Sequence, residues 1–334
     1  MLTAVQCGRR FLCARHAGLP WTSFGTPYVS LIPRRNLHMP TGHRADVEDT
    51  YAEGFRSLFA EFLITARDRK WLDHAVREST GNASSTILCD CEAGLDRYVG
   101  PGGDESVKTP DGRPGAVVQI HVPRFRKDRV AALEKSLLVR ISQNVLPCPT
   151  ARCFNLIDSD PYYKLGRKVA FFGDGFQKRE TRFDHKVWTI PTMGGDFVLD
   201  RRFGYLDGVM GGNLWFMGES EESAIAATER GVEAVNATPG AVMTFPGGIA
   251  ASASRAGSRY SFLIASTYAE YCPTLRNEPG LETRLPDNVN SIMEIVINGR
   301  SLQTISDATQ AAIAASVDSP GLVRITAGNY GGRL

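Results

Sequence analysis

The sequence predicts an α+β protein with two lobes of the split βαβ type that pack as one unit. A length of 334 residues is enough for one large domain or two closely packed lobes. Strand-like and helix-like patterns alternate in each half, with no flexible linker or low-complexity segment between the halves. The composition, 43% hydrophobic and 22% charged, excludes a disordered chain or a coiled coil. No apolar run approaches the ~18 residues that a membrane span needs, so we expect no membrane association.

The start of the chain differs from the rest. Residues 1–38 contain five arginines and no Asp, Glu or Lys. An Arg-rich, acid-free start is compatible with a targeting peptide. We favour a disordered tail or an over-called start over residues 1–45, because ordinary globular sequence begins near Val47. Removal of these five arginines lowers the formal net charge from +2 to −3, so we expect no nucleic-acid binding.

The predicted first lobe, residues 46–165, contains two consecutive βαβ units. Short apolar or β-branched runs indicate the strands, and apolar residues at a spacing of three or four indicate amphipathic helices. The predicted strands are residues 62–65, 86–89, 116–122 and 153–157, and the predicted helices contain residues 71–76 and 130–145. This order of elements is that of a ferredoxin-like sandwich.

A β-rich connector is predicted between the lobes, over residues 166–210. It contains apolar runs at 169–172, 186–190 and 197–199, with a Gly-Asp-Gly turn at 173–175. Hairpin arms of this kind often make contacts between subunits.

The predicted second lobe, residues 211–334, repeats the plan of the first. Ser220 is a suitable N-cap for its first helix, because the acidic residues Glu221 and Glu222 follow in the first turn. The predicted strands are residues 214–217, 241–245, 292–297 and 322–325, and a second helix is predicted over residues 302–315. The sequence therefore predicts a second ferredoxin-like lobe.

Several common catalytic motifs are absent from the sequence. There is no GxGxxG between strand and helix, no GxxxxGK[ST], no HExxH and no GxSxG, which argues against Rossmann redox chemistry, nucleotide hydrolysis, zinc proteolysis and α/β-hydrolase chemistry. The seven cysteines lack paired CxxC spacing and are typical of reduced, cytosolic thiols. Cys89 and Cys91 are better explained as core residues of an alternating strand than as metal ligands.

Glycine stands next to polar residues in four predicted loops, residues 171–176, 211–213, 245–249 and 327–332. Glycine permits a positive φ and a close backbone approach, which serve sharp turns as well as ligand cradles. Three of these loops lie at the ends of predicted strands in the second half, so we expect them to border one cleft. The small polar loop 252–258 suits a carboxylate or phosphate group, or is a solvated loop.

Glu294 is the most informative single residue. It interrupts an otherwise apolar strand and alternates onto the face of Ile292 and Val296. A carboxylate on a buried face must be paired or must become neutral through a raised pKa. The two open interpretations are an edge-strand Glu that points to water and a protonated acid in a cleft.

Taken together, the motifs resemble those of the formylmethanofuran–tetrahydromethanopterin formyltransferase family, especially its bacterial members in one-carbon oxidation. The stretches that carry the resemblance are residues 47–53, 63–66, 109–115, 171–177, 186–188, 245–254, 271–274, 294–299 and 327–332. They follow one another in order over about residues 46–334. Two features depart from the family pattern. The N-terminal extension is not part of it, and family members usually continue for another short strand beyond the turn Gly331-Gly332, just after which this sequence stops.

The resemblance implies two ferredoxin-like lobes per subunit, a cytoplasmic homotetramer with its active site near a subunit interface, and no metal or prosthetic group. The implied co-substrates are tetrahydromethanopterin and methanofuran, and the implied role is formaldehyde oxidation to formate, in company with hydrolase subunits. The family's acidic catalytic residue lies in the strand that contains Glu294. We further predict a substrate site formed by Phe171, Phe172, Asp174, Asn213, Gly247, Gly248, Ser252 and Ser254.

Two alternatives remain open from the sequence. One is a non-catalytic scaffold subunit of a formyltransferase/hydrolase complex, against which the intact strand around Glu294 argues. The other is a covalent route through Cys272, although direct transfer in a ternary complex needs no nucleophile.

Overall fold

The chain folds around two long neighbouring strands that belong to different halves of the sequence. The computed structural model describes residues 2–3, 28–30, 44–252 and 255–328. Its strands are β1 (Leu2–Thr3), β2 (Tyr28–Ser30), β3 (Asp46–Val47), β4 (Tyr51–Thr65), β5 (Glu92–Val99), β6 (Gly115–Pro123), β7 (Arg152–Asn155), β8 (Tyr162–Tyr163), β9 (Lys178–Arg182), β10 (His185–Thr192), β11 (Gly195–Asp200), β12 (Phe203–Gly204), β13 (Leu206–Gly218), β14 (Ala241–Met243), β15 (Arg255–Ala256), β16 (Ala265–Ser266), β17 (Ser291–Gly299) and β18 (Leu322–Thr326). Its α-helices are α1 (Arg69–Thr80), α2 (Arg129–Arg140), α3 (Leu165–Ala170), α4 (Glu221–Asn236) and α5 (Leu302–Ser316). The predicted tail, residues 1–45, lies outside the described residues except for β1, β2 and residues 44–45.

Strands β4 and β13 join the two halves into one mixed α/β structure with a large sheet. They pair antiparallel over residues 55–59 and 206–210. Beyond that stretch each strand continues into its own group, with the main path running β14-β17-β13-β4-β7-β11-β10-β9. The predicted α+β class with both halves packed together is confirmed at this level.

The first strand group has the order β5-β6-β4-β7, with every pair antiparallel. Apolar side chains of α1 and α2 lie against it, and Leu72, Leu133 and Leu137 are fully buried. The apolar residues whose periodic spacing predicted both helices therefore lie on the helix faces that pack against the sheet. At the end of α2 the chain makes one π-helical turn, Ile141–Val145.

The second strand group has the order β14-β17-β13-β18, again with every pair antiparallel. Helices α4 and α5 cover it through residues such as Ala227, Ile305 and Ile313. The predicted N-cap is confirmed, because the Ser220 hydroxyl accepts the backbone N–H of Ser223 in a capping box. The same local order of helices and strands thus occurs in both groups.

Residues 169–172, predicted as a strand of the connector, are helical instead. They form the end of α3 and a 3₁₀ turn, Phe171–Gly173. The apolar run fitted a helix as well as a strand, and Leu165 and Val169 are buried four residues apart on one helical face. Asp174 then ends the turn in the left-handed region, at φ 48°. The rest of the predicted connector does contain the meander β9-β10-β11.

The predicted strand over residues 86–89 is also wrong, because this segment is a turn. Its polar groups bind a buried carboxylate instead of a neighbouring strand: the backbone N–H of Thr86 and its hydroxyl both donate to Oε1 of Glu92, at 3.0 and 3.3 Å. The strand begins only at Glu92 itself. Cys89 consequently lies in a turn, and Cys91 is buried beside the start of β5.

Candidate active site

Glu294 lies in the interior of the second strand group. Its strand, β17, is paired with β13 on one side and β14 on the other, and Glu294 stands directly opposite Trp215 of β13. Its exposed fraction is 4%. The interpretation as an edge-strand glutamate that points to water is therefore wrong. The structure shows a buried carboxyl group, and its role as a protonated acid in a cleft stays a prediction.

Two side chains of β13 bind the carboxyl group of Glu294. Asn213 Nδ2 donates to Oε1 at 2.8 Å, and Trp215 Nε1 donates to the same atom at 3.0 Å. Strand alternation explains the arrangement, because residues two positions apart point to one face and Trp215 is in register with Glu294. The amide nitrogen of Asn213 is thus committed to the acid.

The surroundings of Glu294 favour its neutral form. Burial raises the pKa of this carboxyl, and the hydrogen bonds from Asn213 and Trp215 lower it in part. Both of these partners are neutral side chains. A carboxyl group whose pKa is raised by burial and whose hydrogen-bond donors are neutral has the character of a general acid.

An aromatic wall packs against Trp215, one of the two donors to Glu294. Tyr268 and Tyr271 pack edge-on against Trp215, with ring centroids at 5.6 and 4.9 Å. Leu285 and Val289 complete the cluster. All four residues belong to the long, mostly irregular segment between β16 and β17, which therefore fixes the plane of the indole ring.

The glycine loops of the second half converge on Glu294. Ala250, just after the loop 245–249, exchanges two backbone hydrogen bonds of 2.8 Å with Glu294. Gly328 lies so close to the two donors that a Cβ there would be 2.6 Å from Asn213 Nδ2 and 2.8 Å from Trp215 Cζ2. The loop 211–213 supplies Asn213 itself. Described residues at or beside all three loops thus lie close to Glu294, whereas residues 329–332 lie outside the described residues and the common cleft stays a prediction.

A cavity of about 580 Å³ opens beside the same glycine loop, between the first and second strand groups. Its lining includes Gly247, Gly248, Thr244, Asn82, Ser84 and Gly94. Gly247 and Gly248 have φ values of 64° and 83°, a region that favours glycine. The two predicted binding glycines therefore border a real concavity.

Comparison with known proteins connects this geometry with one family. Residues 42–192 match the profile described as formylmethanofuran-tetrahydromethanopterin formyltransferase, and residues 195–334 match the profile described as its proximal lobe. The formyltransferases of Methanosarcina acetivorans and Methanopyrus kandleri are both 42% identical to this chain, with 86% of it and 94% of each relative covered. This chain belongs to the formylmethanofuran–tetrahydromethanopterin formyltransferase family.

Two solved structures support the same assignment to the formyltransferase family. The enzyme from Methanosarcina barkeri is 40% identical with a TM-score of 0.80, over 87% of this chain and 95% of that one. A chain of the formyltransferase/hydrolase complex from Methylorubrum extorquens, determined with methylofuran, is 37% identical with a TM-score of 0.77, over 86% of this chain and 92% of that one. The junction between the two formyltransferase profiles lies inside the predicted connector, residues 166–210.

Phe171, Phe172 and Asp174 are not close to Glu294 within one formyltransferase chain. They lie beside β10, and five strand spacings along the sheet, roughly 24 Å, separate β10 from β17. Both phenylalanines are more than half exposed. If they belong to a substrate site, as predicted, that site is therefore not the immediate surroundings of Glu294 in the same chain.

The remaining predicted residues of this formyltransferase family member divide as follows. Ser252 is exposed, two residues beyond the Ala250–Glu294 bridge, whereas Ser254 lies outside the described residues. Cys272 Sγ contacts the Thr267 hydroxyl at 3.3 Å and the Tyr268 carbonyl at 3.4 Å. Neither contact is a general base, so this geometry lends the covalent route no support.

Sequence reasoning missed Trp215 as part of the site. A signal was available, because a buried indole N–H requires an acceptor and Trp215 lies two residues from Asn213 on the same face of a strand. Tyr268 and Tyr271 had no comparable signal, since they lie in a segment without periodicity.

In the described part of this formyltransferase family member, no group of three or more His, Cys, Asp or Glu side chains is placed to hold a metal ion. Nor is any described helix long and apolar enough to cross a membrane.

Proposed function

We propose that this protein is an N-formyltransferase that moves a formyl group between N5 of tetrahydromethanopterin and the amine of methanofuran. Membership of the family supports the reaction, since relatives of 42% and 40% identity bear that name. The observation that supports the mechanism is the buried carboxyl group of Glu294, to which the described residues supply two donors, both neutral. The intact strand around Glu294 and the names of the relatives do not favour the scaffold alternative.

In the proposed reaction, both carriers bind together and Glu294 acts as the general acid. The lone pair of the accepting amine attacks the formyl carbon, and the carbonyl π electrons move to the oxygen. Glu294 then gives its proton to the departing nitrogen as the old C–N bond breaks. The accepting nitrogen loses its own proton, which restores the acid, so that the net change is an exchange of formyl for hydrogen.

The predicted binding residues have distinct places in this proposal. The carrier tails bind along a surface formed by Gly247, Gly248, Ser252 and Ser254. Asn213 acts through Glu294. Phe171, Phe172 and Asp174 lie in the predicted connector, residues 166–210, which we call the arm. They orient a ligand at the site of a neighbouring subunit, because within one chain they are too distant from Glu294. The exposure of Phe171, Phe172 and Phe176 supports a subunit contact at this arm.

We further propose a homotetramer of subunits with two ferredoxin-like lobes each. The antiparallel orders β5-β6-β4-β7 and β14-β17-β13-β18 support the two lobes, because in both groups the first strand lies between the third and the fourth. The relative from Methylorubrum extorquens lies in a formyltransferase/hydrolase complex, which supports partner subunits. We place this activity in the cytoplasm, in formaldehyde oxidation to formate, with both carriers as co-substrates and no bound cofactor.

The test is formyl transfer by the purified chain alone. 5-Formyl-tetrahydromethanopterin and methanofuran are mixed with the protein, and formylmethanofuran is followed by mass spectrometry. We expect rapid transfer, and a loss of about 10²–10⁴-fold in Glu294→Gln, since general acid catalysis is worth that much. Glu222→Gln, at the exposed start of α4, is the matched control and should keep full activity. Near-normal turnover by Glu294→Gln would remove the assigned acid, and no transfer by the folded oligomer would support the scaffold alternative.

A further inference from the structure

Both hydrogen bonds to the Glu294 carboxyl group end on the same oxygen atom. Asn213 Nδ2 and Trp215 Nε1 donate to Oε1, whereas Oε2 receives no hydrogen bond from any residue that the structure describes. An indole N–H can only donate, so the atom that faces Trp215 must be an acceptor. In a neutral carboxyl group the carbonyl oxygen is the acceptor and the hydroxyl oxygen is the donor.

We propose that Asn213 and Trp215 are positioning residues that hold Oε1 of Glu294 as the carbonyl oxygen, so that the acidic proton resides on Oε2 and faces the substrates. This inference rests on the proposed general acid role of Glu294. Without the two donors the carboxyl group exchanges its two oxygens by rotation, and the proton spends only part of its time in the reactive position. Catalysis depends on such alignment of the reacting groups.

The packing around the two donors leaves them little freedom. Tyr268 and Tyr271 hold the indole of Trp215 edge-on, and Gly328 approaches both donors more closely than any side chain would permit. Titratable groups also lie near this site. Glu270 pairs with Arg255, Arg284 is hydrogen-bonded to Tyr271, and Glu48 accepts from Thr326, which is in register with Trp215. The shift in the pKa of Glu294, however, comes from burial, Asn213 and Trp215. A change in either donor is therefore expected to shift the pKa of Glu294.

The test uses Trp215→Phe, which removes one donor and keeps an aromatic ring in the wall. Asn213→Ala removes the other donor and provides a second variant if the first does not fold. Trp71→Phe, on α1 in the other strand group, is the matched control for loss of an indole. For each folded protein, kcat, KM and their pH dependence are measured in the transfer assay, and the infrared carbonyl band of Glu294 is assigned by its absence in Glu294→Gln.

We expect Trp215→Phe to lower kcat by about tenfold, which corresponds to the loss of about one hydrogen bond, with KM changed less than twofold. Hydrogen bonds from the two donors favour the charged carboxylate, so their removal raises the pKa of Glu294 further. The decline of activity at high pH should therefore move to higher pH. The carbonyl band should rise in frequency, because the carbonyl oxygen has lost a donor.

A merely structural role for Trp215 lowers activity without moving the pH profile or the carbonyl band. An unmoved profile and band in both donor variants, with Glu294→Gln inactive, would overturn the positioning role and leave the acid in place. Full activity in Glu294→Gln would instead overturn the proposed acid itself. Trp71→Phe should match the unmodified protein in kcat, pH profile and band position.

Discussion

Two buried glutamates, Glu294 and Glu61, show how similar burial can serve opposite purposes. Glu61 on β4 is 5% exposed, but the guanidinium of Arg300 binds both of its oxygens at 2.6 Å, and Gln119 donates at 2.9 Å. Glu294 is 4% exposed and has two neutral donors on one oxygen. Burial raises the pKa of both carboxyls, but among the residues that the structure describes a cation opposes that effect at Glu61 and none does so at Glu294.

The comparison teaches which buried acid is able to give up a proton. A carboxylate with a bidentate arginine is stabilised in its charged form and joins two parts of the fold. Arg300 follows β17 in the second half, whereas Glu61 and Asp96 belong to the first half, so this ion pair connects the two strand groups. A carboxyl group without a cation stays neutral more easily and is suited to proton donation.

Arg300→Met should produce the largest effect on stability. It leaves Glu61 and Asp96 buried without this cation, a situation that costs about 3–5 kcal/mol for a fully buried pair. Because 38% of the Arg300 side chain is exposed, water compensates in part, and we expect a loss of about 2 kcal/mol in the free energy of unfolding. Urea denaturation measures it, and transfer activity per folded molecule should stay unchanged.

Arg324→Met is the matched control for the loss of an arginine. Arg324 pairs with Asp46, whose side chain is 60% exposed, so its removal should cost less than about 1 kcal/mol. Equal losses in the two variants would contradict the distinction between a buried junction and a surface pair.

Gly328→Ala should affect the other region, with a smaller cost in stability. The added Cβ would press on Asn213 and Trp215, and overpacking of this kind costs about 1–3 kcal/mol. We also expect a loss of activity, because both donors to Glu294 must shift. Gly194→Ala, where the structure leaves open space for a Cβ, should change neither the urea midpoint nor the transfer rate. Unchanged activity in Gly328→Ala would show that the donors tolerate displacement.

The smallest effect concerns stability as a function of pH. The pKa of Glu294 is higher in the folded than in the unfolded protein, so its favourable contribution is fully present below the unfolded pKa and is lost as pH rises through the folded pKa. Glu294→Gln removes this dependence. We therefore expect the melting temperature of Glu294→Gln, relative to that of the unmodified protein, to increase as pH rises through that range. A constant difference between the two would contradict a raised pKa.

The elements that depend on local pattern could be predicted from the sequence. Helices α1, α2, α4 and α5 follow from apolar spacing and, for α4, from the Ser220 cap, and strand β17 follows from its apolar run around Glu294. Residues 86–89 and 169–172 could not be assigned correctly. In the first, a buried carboxylate takes up the backbone donor, and in the second, helix and strand fit the same apolar run.

The sequence by itself determined that Glu294 is an acid in an apolar strand, because the period-two alternation of a strand is visible in the residues alone. Only the tertiary structure decided that this acid is buried, which oxygen is bound and that Trp215 binds it, since strand register and distant loops bring those groups together. Likewise, Phe171 and Phe172 stand beside glycine and a polar residue, as in a binding loop, but they lie five strand spacings from the strand of Glu294. The type of side chain and its local strand or helix pattern can be predicted from the sequence. Which side chains lie close together depends on strand pairing and packing over long sequence separations.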